Sequence, residues 1–256
     1  MFTLEDLLVW MMIQTRVVGL FLMAPVFSHK SIPVIAKVTL ASAFAFIVFP
    51  MVETGGVFPD SIFSMVLWGA KEIAVGMTMG VAIRMIFFIL DFAAHVLTVE
   101  IGLMPGPAFD PSSSNSQGNP LGTIIYFLGL MILLSGSEYD ILRAFVHSFE
   151  IAPIGYMALN SYAADFIILK TADIFRIGVL MGAPVLAVNF LVNLVFATLG
   201  KVVPKLNVFI LSFSVRIFLG TTVLALTVSL IAHYTLNYLN ETPEMMLRFI
   251  FFRPEI

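Results

Sequence analysis

Residues 61–100 read SIFSMVLWGAKEIAVGMTMGVAIRMIFFILDFAAHVLTVE, forty positions without a proline. At 1.5 Å per residue, one α-helix of that length would run about 60 Å, twice the ~30 Å hydrocarbon core of a bilayer. The run also carries Lys71, Glu72, Arg84, Asp91 and Glu100. Each charge at mid-span costs at least ~2.5–3.5 kcal/mol on insertion scales. A plain lipid-facing span does not tolerate that set, so the segment must be bent, broken into a hairpin, or buried in protein.

The rest of the chain places this run in a membrane. Of 256 residues, 60% are hydrophobic and only 11% are charged, and mean hydropathy is +1.03. A globule of this size cannot hide so much apolar surface and still cover itself with so few charges. The composition predicts an all-α, polytopic membrane protein and excludes disorder. The absence of cysteine excludes thiolate chemistry, Cys-ligated zinc and disulfides. A net charge of −3 with no basic run gives no footprint for nucleic acid. Glu5 and Asp6 stand where a signal peptide would carry Lys or Arg, so the first apolar segment is expected to stay in the mature protein.

Further segments follow from punctuation. Helices are expected at 7–27, with Arg16 inside, and at 38–52, followed by a loop with Pro50, Gly55, Gly56 and Pro59. Another is expected at 121–136, then a mixed stretch at 137–173 broken at Pro153 and Gly155. Residues 177–200 and 217–240 are free of Asp, Glu, Lys and Arg, and a short interfacial helix is expected after Pro243. The whole reads as one membrane domain, 1–256, without a linker. Lys30, Lys37, Lys201 and Lys205 flank two turns, which the positive-inside rule places in the cytoplasm, with the N-terminus outside.

Several constellations stand out. Gly122, Gly129 and Gly136 recur at seven-residue spacing, and Gly76/Gly80 and Gly178/Gly182 are GxxxG pairs. Such positions let helix backbones approach closely, which makes them candidate packing surfaces. Arg84, Asp91 and His95 share a helical face and run on to Glu100. They form either a proton relay, as in a secondary transporter, or a polar seam satisfied by a neighbouring subunit; no facing segment offers a matching acid, which favours the seam. No metal-ligand spacing among the four histidines and no catalytic motif is present. Neither an enzyme nor a cofactor is expected. Residues 102–120, GLMPGPAFDPSSSNSQGNP, hold four prolines and a single charge, Asp110. Such a backbone must be buried in protein, line a water-filled cavity or lie outside the bilayer. A pore-lining loop and a plain solvent loop both satisfy that.

Two stretches carry a resemblance: RVVGLFLMAPVFS at 16–28, followed by Pro33 and Lys37, and GVLMGAP at 178–184, followed by Asn193 and by GKVVPKLNVF at 200–209. Between them, Glu100, Gly102, Asp110 and Pro111 also fit. The set resembles the FliR/SctT family of type III export-gate subunits over nearly the whole chain. That resemblance implies kinked helical hairpins, a FliP-like part at 1–175 and a FliQ-like hairpin at 176–240, with 241–256 as a short tail. It implies assembly with FliP and FliQ, association with FlhB, and a channel for unfolded export substrates in the bacterial inner membrane, at the flagellar basal body. The loop then acts as a plug beside a methionine gasket from FliP, with Gly102, Met104, Pro105, Phe109, Asp110 and Pro111 its defined members. Arg16, Pro25, Pro184, Asn193, Pro204 and Asn207 match motif positions, with structural roles in kinks and interhelical hydrogen bonds. The sequence departs from the family pattern at Glu100, where Gln is usual, at Lys205 in the Pro204–Asn207 motif, and at Ser137, where His commonly follows the glycine. An injectisome subunit and a proton-coupled transporter are the alternatives.

Overall fold

Thr3 opens the first helix with a reciprocal cap. Its hydroxyl accepts the Asp6 N–H at 3.2 Å, and the Asp6 carboxylate accepts the Thr3 N–H at 2.9 Å, which satisfies two of the donors a helix start leaves unpaired. The helix, α1 (Leu4–Met23), stops where Pro25 follows, with Ala24 extended. The computed structural model describes residues 3–28, 32–52, 59, 61–103, 119–156, 161–205 and 207–250, with backbone alone for 161–164 and 209. After α1 come α2 (Pro25–Ser28), α3 (Val34–Val48), α4 (Ile62–Ile101), α5 (Pro120–Ile132), α6 (Glu138–Ile151), α7 (Ser161–Val202) and α8 (Val208–Ile250). No strand occurs among the described residues. Among the described residues, six helical stretches are long and apolar enough to cross a membrane. The fold is an all-α polytopic membrane bundle, as composition predicts.

Two compact units divide the chain. Unit 1 comprises Met1–Phe87, Leu133–Thr171 and Tyr238–Ile256; unit 2 comprises Phe88–Ile132 and Ala172–Asn237. In unit 1, α3 lays Ala41 and Ala45 into the core, both with no exposed surface. Gln14 of α1 donates to the Ser42 hydroxyl of α3 at 2.7 Å. The 62–87 part of α4 meets α1 backbone to backbone: a Cβ on Gly76 would collide with the Arg16 carbonyl oxygen, and one on Gly80 would lie 2.8 Å from that of Leu20. In unit 2, Gly178 of α7 faces the Phe92 ring and the Ile89 carbonyl of α4, and Gly182 faces Val96 and Leu97.

The structure revises several sequence expectations. Of the forms expected for the forty-residue run, burial in protein is the one found: α4 is one helix, neither broken nor a hairpin, and 61% of its most apolar window is buried. Gly136 is not placed against another helix. It sits in a wide helical turn, Leu133–Ser137, at φ +141°, and a Cβ there would meet nothing within 4 Å. Its role is conformational, since only glycine takes that backbone without strain. Gly122 faces the Asn119 side chain beside it in the chain, and Gly129 is buried. The stretch at 137–173 resolves into α6 and the first turns of α7.

No separate tail helix begins after Pro243. α8 runs through that proline to Ile250, and Thr242, Met246 and Phe249 have no exposed surface. Burial of this last part offsets the ~3 kcal/mol that an interior helical proline costs. Arg248 also pairs with Glu244 at 2.6 Å, and Phe249 stacks edge-on against Phe166 at 5.6 Å.

Candidate functional site

The best-built polar site in unit 1 surrounds Arg16. This side chain is wholly buried, and so is Glu72 on α4. Arg16 Nε donates to Glu72 Oε2 at 2.6 Å, Nη1 to the Ser148 hydroxyl at 3.0 Å and Nη2 to the Ala152 carbonyl at 2.8 Å. The guanidinium also lies 3.9 Å from the centre of the Phe149 ring. The other carboxylate oxygen, Glu72 Oε1, accepts the Gly155 N–H at 2.9 Å, while Lys71 Nζ donates to the Gly155 carbonyl at 3.2 Å. Gly155 takes φ +81°, and its Cα faces the Trp68 ring closely. One guanidinium and one carboxylate thus fasten α1, α4 and the turn after α6 together, with every strong acceptor of Arg16 inside the protein. Arg16 was singled out by its motif, and its partner was not. Glu72 was legible only as a charge too costly to leave in lipid.

In unit 2 the polar geometry gathers at the two ends of residues 103–119. Gly102, at φ +82°, ends α4. The Leu103 N–H returns to the Thr98 carbonyl at 3.0 Å and the Gly102 N–H to Val99 at 3.1 Å, the paired bonds of a glycine-terminated helix. Asn119 starts α5: its Oδ1 accepts the Gly122 N–H at 3.0 Å, and Pro120 occupies the first helical position, where its missing N–H costs nothing. The Thr98 hydroxyl lies 2.8 Å from that same Asn119 oxygen and 2.6 Å from the Ala94 carbonyl. Both ends of the loop therefore meet at Thr98.

Around this base, Asn189 of α7 donates its amide to the Glu100 carboxylate. Arg216 of α8 donates to Asn193 Oδ1. The Gly102 Cα faces the Phe213 ring, and Gly220 lies against Ile101. The end of α4 is thus tied to α5 and α7 by side-chain hydrogen bonds and packed against α8. The Thr98–Asn119 and Glu100–Asn189 pairs were not visible from sequence. A Thr ahead of a terminal Gly, and an Asn-Pro at the far end of a loop, were the signals that could have found the first.

The remaining candidates fall as follows. Pro25 is the buried first residue of α2, and Pro184 lies inside α7 without ending it. Pro204 is in the turn before α8, and Asn207 accepts the Ile210 N–H at 3.4 Å at the start of that helix. Arg84 is half-buried, and Asp91 and His95 are exposed. Met104, Pro105, Phe109, Asp110 and Pro111 lie outside the described residues. No cluster of His, Asp or Glu suited to a metal occurs among the described residues.

Residues 7–242 match the family model of bacterial export proteins, family 1. The chain belongs to that family. The bacterial export protein family 1 match spans both the Arg16 cluster and the loop base, and it bears out the FliR/SctT resemblance carried by the motifs. Relatives include the flagellar biosynthetic protein FliR of Escherichia coli (strain K12), 27% identical over 230 residues, covering 88% of this chain and 86% of the relative. FliR of Bacillus subtilis (strain 168) is 25% identical over 244 residues, covering 93% and 92%. The Yop proteins translocation protein T of Yersinia pestis is 24% identical over 216 residues, covering 83% and 82%.

Proposed function

We propose that this export-family chain is the FliR-type subunit of a flagellar type III export gate in the bacterial inner membrane. It assembles with FliP and FliQ, with FlhB associated, and helps form the conduit for unfolded export substrates at the basal body. Residues 1–175 take the FliP-like role and 176–240 that of the FliQ-like hairpin. Residues 102–117 are the plug that closes the conduit at rest. The role is one of shape and contact, with no chemical step and no cofactor.

One observation carries the plug reading. The loop leaves and re-enters the helices at a single tied point, Thr98 to Asn119, rather than at two separate places. A long segment held at a narrow base can occupy a channel and leave it while its anchor stays fixed. With Asp110 as its only charge, it offers little that would bind one substrate side chain over another. That suits passage of many different chains.

The test is deletion of 106–115 in the gate purified with its partners and placed in liposomes. Ion or small-molecule leak should rise while the subunits still co-purify. Unchanged leak through an intact assembly would overturn the plug role.

A further inference from the structure

From residue 88 to residue 101 the second part of α4 is enclosed on almost every side. Four positions in it are exposed: Phe88, Asp91, His95 and Val99. They fall at i, i+3, i+7 and i+11, one line along the helix. Beside them Phe92, Val96 and Glu100 are half-buried, and the rest are buried. The open strip is one residue wide. A strip at 3–4 spacing is the line along which one helix packs against another.

The chemistry of the strip points the same way. Its ends are apolar, Phe88 at 44% and Val99 at 52% exposure. Its middle is a carboxylate and an imidazole one turn apart. Neither Asp91 nor His95 has a hydrogen bond or ion pair among the described residues, and the two do not bond each other. This stretch lies within a helix apolar enough to span a membrane. A bare carboxylate is costly there and needs a donor. Lipid chains provide none.

We infer that the Phe88–Asp91–His95–Val99 strip receives a transmembrane helix of a different subunit, one that is apolar except for a hydrogen-bond donor, Lys, Arg, Asn or Gln, set opposite Asp91. The donor satisfies the carboxylate, and apolar side chains of the same helix cover Phe88 and Val99. His95, with one donor and one acceptor when neutral, adds a second polar contact one turn along. A second copy of this chain is a poorer occupant, because a two-fold contact along this strip would bring Asp91 towards another Asp91. The polar pair sets register and partner choice more than strength, as one buried polar position does in paired helices. This inference rests on the export-gate reading, which supplies the other subunits.

The experiment uses the full chain expressed with its cognate export-gate partners. A photo-crosslinking amino acid is placed in turn at positions 88, 91, 95 and 99, and adducts are mapped by mass spectrometry. All four should map to one helix of one other subunit, with a Lys, Arg, Asn or Gln within a turn of the 91 adduct. In parallel, Asp91→Leu should lower co-purification of that subunit about tenfold or more, and Asp91→Asn much less. Substituting Asp91 by Lys and the mapped basic or amide residue by Asp should together restore the yield. If the partners co-purify with the unsubstituted chain but positions 91 and 95 label lipid, a second copy, or residues 104–118, the inference is overturned while the export-gate reading stands. If no other membrane subunit co-purifies with the unsubstituted chain, that reading falls and takes the inference with it.

Discussion

Replacing Glu72 by leucine removes the one anionic partner of Arg16 among the described residues and leaves its guanidinium enclosed by Phe149, Ser148 and the Ala152 carbonyl. The two neutral acceptors remain, but no counter-charge does, and the Gly155 N–H loses its acceptor as well. Breaking a buried pair from one side costs about 3–5 kcal/mol, roughly a 150- to 5,000-fold shift in a folding equilibrium. Glu72→Gln keeps one acceptor oxygen, which can serve Arg16 Nε or the Gly155 N–H but not both, and turns its NH2 towards the donor left over, so its cost should approach that of leucine. Arg16→Met should cost a similar few kcal/mol, because it leaves the buried carboxylate without its counter-charge, held by the Gly155 N–H. The double variant Arg16→Met, Glu72→Leu strands no charge, and replacing both ions by apolar side chains is often close to neutral. It should therefore be more stable than either single variant.

The assay is a double-mutant cycle on the purified chain in detergent or nanodiscs, using reversible unfolding followed by far-UV circular dichroism. Because both side chains are wholly buried, adding salt to 1 M should leave the coupling unchanged, unlike that of a surface pair. Two results would refute the reasoning. One is a Glu72→Leu variant within about 0.5 kcal/mol of the unsubstituted chain, the range typical of inert surface changes. The other is a double variant whose loss equals the sum of the singles.

Three further outcomes are expected. Gly76→Ala puts a methyl group into the Arg16 carbonyl, a backbone atom that cannot swing aside; thermal denaturation should show a loss of about 1–3 kcal/mol or more. Gly69→Ala on the same helix meets nothing within 4 Å, and should be neutral or stabilising by about 0.5–1 kcal/mol. Phe249→Ala should cost about 3–5 kcal/mol and expose α8 beyond Pro243 to protease, since that ring is wholly buried and braces Phe166.

The class of fold was legible early because helix formation in a membrane is a local matter. A long apolar run without proline must satisfy its own backbone, and only a helix does so along one segment. The same logic flagged the charges of residues 61–100 as needing protein around them. The motif residues Arg16, Gly102 and Asn207 lie at the buried ion pair, at the end of α4 and at the start of α8.

Local pattern misled where tertiary burial outweighs it. Pro243 reads as a stop, yet the buried side chains beyond it carry α8 onward. Gly136 keeps heptad step with Gly122 and Gly129, yet its backbone leaves the helical region.

By itself, then, the sequence determined that this chain is a helical membrane protein with costly charges in its third long segment, and which family its motifs resemble. The tertiary structure alone decided which groups answer those charges. Glu72 is paired with a residue 56 positions away, Glu100 with one 89 positions away, and Asp91 is left on an open seam. A helix's period fixes which residues share a face. Which faces meet depends on the packing of all the helices at once, and no window along the chain contains that information.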